Sequence, residues 1–169
     1  MTSSSANRPL SAIQVILLSG LVAGTLDITA ACVTAWIQSS VTPPRVFKYI
    51  ATGVLGTPAL TAGTGTAALG LLLHYVIATG WAVLFYLVSR KVGLLINHAI
   101  TSGLLYGLVV YGLMNFVVVP LSFVPARRTP PPLSARALQA AILMVCIGLP
   151  IALIVRRFGR SGHLSTGSV

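Results

Sequence analysis

A chain of 169 residues that is 56% hydrophobic and only 7% charged, with mean hydropathy +0.94, cannot cover a water-soluble surface, for which about a quarter charged residues is usual. Eleven Lys and Arg stand against one acidic side chain, Asp27, for a formal net charge of +10. Two-carboxylate chemistry is therefore excluded, and almost none of the cations can pair within the chain. These numbers describe an all-α integral membrane protein whose basic flanks meet anionic lipid headgroups. Nucleic acid is not expected as a partner, because the basic residues flank apolar runs and build no continuous patch.

Residues 1–9, MTSSSANRP, read as a polar tail. The first span is expected over 10–37, and its apolar run is too long for a cleaved leader. At 100° per residue, Gly20, Gly24, Asp27, Ala31, Thr34 and Gln38 fall along one stripe of that helix. The Gly20-x3-Gly24 pair permits a close helix–helix approach, so Asp27 is expected to face protein. An intramembrane carboxylate handles a proton or ion, or it clamps two helices by hydrogen bonds. The sequence leaves both roles open.

VTPPRVFKYIATGVLGTP follows, in which Pro43 and Pro44 suit a first helical turn. The mixture of Arg45 and Lys48 with Val46, Phe47, Tyr49 and Ile50 predicts a short interfacial helix that Thr57-Pro58 ends. The second span is expected over 66–88, with Gly70, His74, Ala78, Trp81 and Phe85 on one face. His74 and Asp27 both fall about 12–15 Å from the same membrane surface, so the histidine is the natural candidate to meet the carboxylate. An ordinary interior histidine is the bland alternative.

The short SRKVG link predicts an antiparallel hairpin between the second span and a third over 94–121. The third carries Gly103, Gly107, Tyr111 and Asn115 in a small-and-polar stripe, placing Asn115 and Tyr111 beside the Asp27–His74 level. Asn115 otherwise serves as a helix–helix hydrogen-bonding residue. His98 stands only about a turn inside the opposite surface, which excludes a haem shared with His74. PARRTPPPLSAR then reads as an extended basic connection, and the fourth span is expected over 137–155, kinked at Pro150. A tail over 158–169 is expected to be disordered. Cys32 and Cys146 lie in apolar runs without a CxxC spacing, and read as small buried hydrophobes.

Six basic residues (Arg8, Arg90, Lys91, Arg156, Arg157, Arg160) fall on one side and five (Arg45, Lys48, Arg127, Arg128, Arg136) on the other. The positive-inside rule thus leans toward cytoplasmic termini.

Three stretches, GLVAGTLD at 20–27, HYVIATGWAVLFYLVSRK at 74–91 and GLLYGLVVYGLMNFVVVPLS at 103–122, resemble the YagU-like family of small bacterial inner-membrane proteins. The His-x6-Trp and Met-Asn-x4-Pro-Leu-Ser elements carry the resemblance, which covers the first three spans. It implies a bacterial cytoplasmic membrane location and brings no activity with it.

No GxSxG elbow, HExxH motif, P-loop or carboxylate pair occurs, so neither an enzyme nor a bound cofactor or metal is expected. The expectation is a small proton- or ion-linked transporter or channel, centred on Asp27 and His74, working as a homo-oligomer or with a membrane partner. The alternative is a scaffold for partners or lipids in which Asp27 only locks the bundle.

Overall fold

The structure is a computed structural model that describes residues 10–126 and 129–159. The N-terminal tail, Arg127 and Arg128, and the tail from residue 160 onward lie outside the described residues.

Four helices are long and apolar enough to cross a membrane: α1 (Ala12–Ser39), α3 (Thr64–Lys91), α4 (Ala99–Leu121) and α5 (Leu133–Phe158). With the short α2 (Pro43–Leu55) they form an all-α, multi-pass membrane bundle, and no strand occurs among the described residues. Large side chains such as Leu21, Leu72, Leu105 and Phe116 point outward and exposed, as a lipid-solvated surface requires.

Ser11 starts α1 with a capping box. Its hydroxyl accepts from the Gln14 N–H at 3.3 Å, and the Gln14 side-chain oxygen accepts from the Ser11 N–H at 2.9 Å. The helix ends at Ser39, and after three intervening residues Pro43 and Pro44 open α2, whose first turn needs no N–H donors. This short amphipathic helix lies against the first turns of α3. A Cβ at Gly70 would run into the Phe47 carbonyl oxygen, so the backbones touch there. Lys48 Nζ donates to Ala62 O at 2.5 Å, and the Phe123 N–H donates to Gly53 O at 3.1 Å. These bonds tie α2 to both the entrance of α3 and the exit of α4.

The first span lies two residues later than expected, and α3 and α5 run longer, because a helix continues through polar end turns that hydropathy does not see. α3 continues through Arg90 and Lys91, cations that suit the negative end of the helix dipole. The third span is a correction. Leu94–Asn97 is a separate helical turn, the chain breaks at His98 (φ −111°, ψ 51°), and α4 starts at Ala99. Ser102 bridges the break by sharing its hydroxyl between Leu95 O (2.6 Å) and His98 O (2.9 Å), the second of which also accepts the Ser102 N–H.

α1 packs along both α3 and α5, while α4 packs along α5. α3 reaches α4 through side chains: the Tyr106 hydroxyl donates to Trp81 O at 2.6 Å, and its ring meets Phe85 edge-on at 5.0 Å. The helices flanking SRKVG are thus antiparallel, but their closest partners lie elsewhere, rather than in the paired hairpin expected.

Both glycine pairs are used inside the chain. A Cβ at Gly20 would sit 2.7 Å from Thr79 Oγ1, and one at Gly24 would sit 3.0 Å from the Tyr75 ring. Gly103 and Gly107 face Gly148, Met144 and Leu149 of α5. Here α5 contains a π-turn, Met144–Gly148, in which the Leu149 N–H reaches back five residues to Met144 O. α4 has its own at Met114–Val118, with the Val119 N–H donating to Met114 O. Each ends two residues before a proline, Pro150 and Pro120 respectively. A proline in a span removes a donor and crowds the carbonyl four residues back, and a widened turn accommodates it without exposing backbone to lipid.

Candidate functional site

Asp27, His74 and Cys146 belong to three helices, α1, α3 and α5, yet lie in one layer. From the bounds of their helices each is about 15–20 Å from the same end of the bundle, near mid-membrane. The Asp27 carboxyl interacts electrostatically with both His74 and Cys146. It is half-buried, and among the described residues no donor stands at hydrogen-bonding distance from it.

The direct Asp27–His74 bond that the matched depths invite is not formed. His74 Nε2 is 2.9 Å from Gly24 O instead. A carbonyl oxygen only accepts, so Nε2 carries the hydrogen and Nδ1 is the ring atom left to gain or lose a proton. The geometry has a local cause. Carbonyls of a helix point toward its C-terminus, so Gly24 O is presented at about the level of Asp27, one turn on. Gly24 has no side chain to cover that oxygen, and the carbonyl's second lone pair is available to a neighbour. One glycine therefore admits α3 and supplies the acceptor for its histidine.

Beside this bond, Thr25 Oγ1 and the Tyr75 hydroxyl lie 3.0 Å apart, a second polar link between α1 and α3. The Tyr75 ring also stands edge-on to the His74 imidazole, at 5.6 Å and 74°. The α1–α3 crossing is thus held by His74, Thr25 and Tyr75, without the carboxyl.

Asn115 and Tyr111 behave differently from the expectation that set them beside the pair. Asn115 Nδ2 donates to Tyr111 O at 2.9 Å, within its own helix. Tyr111 packs half-buried against the apolar core that includes Val110 and Ile147. Both act at the entrance to the α4 π-turn.

Sequence reasoning took Cys146 only as a small buried hydrophobe, whereas it is half-buried in the Asp27 layer. It sits inside the α5 π-turn, and its carbonyl is the one from which Pro150, four residues on, withholds a helical N–H. A signal for it exists in the sequence: LMNFVVVP at 113–120 and LMVCIGLP at 143–150 share the spacing Leu-Met-x5-Pro, and each repeat folds as a π-turn. Among the described residues no group of three His, Cys, Asp or Glu side chains is placed to hold a metal ion.

No protein-family model, curated protein or solved structure matches the chain.

Proposed function

We propose that this chain is a small proton- or ion-linked permeability protein of the bacterial cytoplasmic membrane, with Asp27 and His74 as its polar centre and both termini on the cytoplasmic side. One observation carries the reading. The only acidic side chain of the protein sits at mid-membrane depth, half-buried and without a hydrogen-bond partner among the described residues. A charged or ionisable group at that depth is costly and is retained where it works. The competing role, a clamp in a scaffold protein, needs the carboxyl to hold a neighbouring helix, and His74, Thr25 and Tyr75 supply those bonds.

In this reading a proton taken by His74 Nδ1 passes through a water to the Asp27 carboxylate, and the imidazole returns to its neutral form. The Nε2–H bond to Gly24 O keeps the ring oriented through both states. Asp27 is open on one side of a single bundle, so a second copy of the chain, or another membrane protein, completes the enclosure. The resemblance to YagU-like inner-membrane proteins supports the location and is silent on the cargo.

The test is proton flux into liposomes that hold the purified chain and a pH-sensitive dye. Wild-type protein should acidify the interior faster than empty liposomes, and Asp27→Asn should return the trace to the empty level while its helical circular dichroism is unchanged. Wild-type traces equal to empty liposomes would remove proton conduction. The scaffold reading would then stand.

A further inference from the structure

The break at His98 builds a second feature, at the end of the bundle where α3 and α5 terminate. An apolar groove of about 480 Å3 runs along α4, lined by Leu95, His98, Thr101, Leu105, Tyr106 and Val109 among others. Its Tyr106 wall is fixed, because the hydroxyl is bonded to Trp81 O. From His98 to Val109 the groove follows α4 for about 16 Å. That length matches half of a hydrocarbon core of roughly 30 Å, the depth one acyl chain occupies. A smaller, polar hollow of about 240 Å3 adjoins it, lined by Asn97, Ala99, Ile100 and Arg156, and it shares His98 and Thr101 with the groove. Hollow and groove therefore form one path, polar at the membrane surface and apolar below.

Arg156 is exposed in the last turn of α5. The chain's one acidic side chain is Asp27, in the middle of α1, so no carboxylate side chain is at hand to neutralise Arg156. A phosphate would supply that charge, and the adjoining groove selects a phosphate that carries a hydrocarbon chain.

We propose that this path is a binding site for an anionic glycerophospholipid, its phosphate at Arg156, Asn97 and His98 and one acyl chain along Thr101, Leu105, Tyr106 and Val109. The site is separate from the Asp27 layer and does not depend on what that layer does. Ser102 is its positioning residue, since its hydroxyl holds the break that opens the groove.

Trp81 reports on it, because the groove wall bonds to its carbonyl and the only other tryptophan, Trp36, lies at the far end of α1. Full-length Trp36→Phe protein is reconstituted in phosphatidylcholine, and phosphatidylglycerol dibrominated near mid-chain is titrated in against equally brominated phosphatidylcholine. Phosphatidylglycerol should quench Trp81 at a mole fraction about fivefold lower, the factor expected from one basic residue beside an anionic headgroup. Arg156→Gln should bring the two lipids level. Arg157→Gln, a neighbour outside both cavities, should leave the preference intact, and Thr101→Phe should weaken quenching by both lipids. Equal quenching of the starting protein by the two lipids would overturn the proposal. Equal loss in Arg156→Gln and Arg157→Gln would also overturn it, by showing a general basic surface. So would abolition of the preference by inorganic phosphate, which would identify a free-anion site.

Discussion

The two helix crossings use the same small-residue device for different ends. Where α1 meets α3, Gly20 and Gly24 receive Thr79 and the side chains of Tyr75 and Ala78, and two polar links span the gap. Where α4 meets α5, Gly103 and Gly107 face the backbone of a π-turn, and Gly148 answers from the other side, so main chain lies directly on main chain. The first crossing is polar and has side chains that can yield. The second is mostly backbone against backbone, and the one side chain against its glycines, the Ala152 methyl beside Gly103, cannot rotate away. The carboxyl sits by the adaptable crossing, while its Cys146 neighbour sits on the rigid one.

One added methyl group is the sharpest probe of that contrast. At Gly148 it would meet the Gly103 carbonyl oxygen, and also Gly107 N at 2.6 Å and Gly107 Cα at 2.9 Å. All three are backbone, so relief requires α4 and α5 to separate. Gly148→Ala should lower stability in detergent by about 3 kcal/mol or more, the upper end for overpacking, read from SDS-titrated loss of helical circular dichroism. A change below 1 kcal/mol would mean that the α4–α5 contact is not close.

At Gly20 the same methyl meets Thr79 Oγ1 at 2.7 Å and Thr79 Cα at 2.8 Å, so hydroxyl rotation alone cannot clear it. Gly20→Ala should destabilise by about 1–3 kcal/mol. At Gly24 the neighbours are the Tyr75 ring edge at 3.0 Å and the Ala78 methyl at 3.2 Å. A small movement suffices there, and the better helix propensity of alanine offsets about 1 kcal/mol. Gly24→Ala should therefore lie near zero in the same titration. Equal losses at Gly20 and Gly24 would contradict an adaptable crossing.

How far these features were readable from residues alone differs from one to the next. The four spans were legible because lipid imposes a long apolar run on any helix that crosses it, and the glycine pairs because close approach needs a missing side chain. Wheel positions do not reveal that Gly24 O lies nearer to the imidazole than the Asp27 carboxyl does. Nor do they place Asn115, whose amide has a carbonyl of its own helix within reach. The break at His98 was hidden because LLINHAI stays apolar straight through it. Cys146 was hidden because a π-turn rotates the residues beyond it away from a 100° wheel, and the repeated Leu-Met-x5-Pro spacing that marks such turns is not a hydropathy signal.

The smallest effects bear most directly on the carboxyl. Replacing His74 with Phe removes the bond to Gly24 O, and interhelical bonds in membranes average about 0.6 kcal/mol; His74→Phe should lose roughly that much. Asp27→Asn should change stability by less than about 0.5 kcal/mol. The carboxyl accepts no hydrogen bond among the described residues, so none is lost, and a neutral amide is cheaper to keep at that depth than an ionised group. A small gain is therefore consistent with the geometry, and a small loss is equally tolerable. A loss above 1 kcal/mol in Asp27→Asn, larger than that of His74→Phe, would be the signature of a clamp. It would transfer the structural work of the α1–α3 crossing to the carboxyl. An unchanged Asp27→Asn beside a weakened His74→Phe separates the two residues: the histidine fastens the helices, and the carboxyl does not.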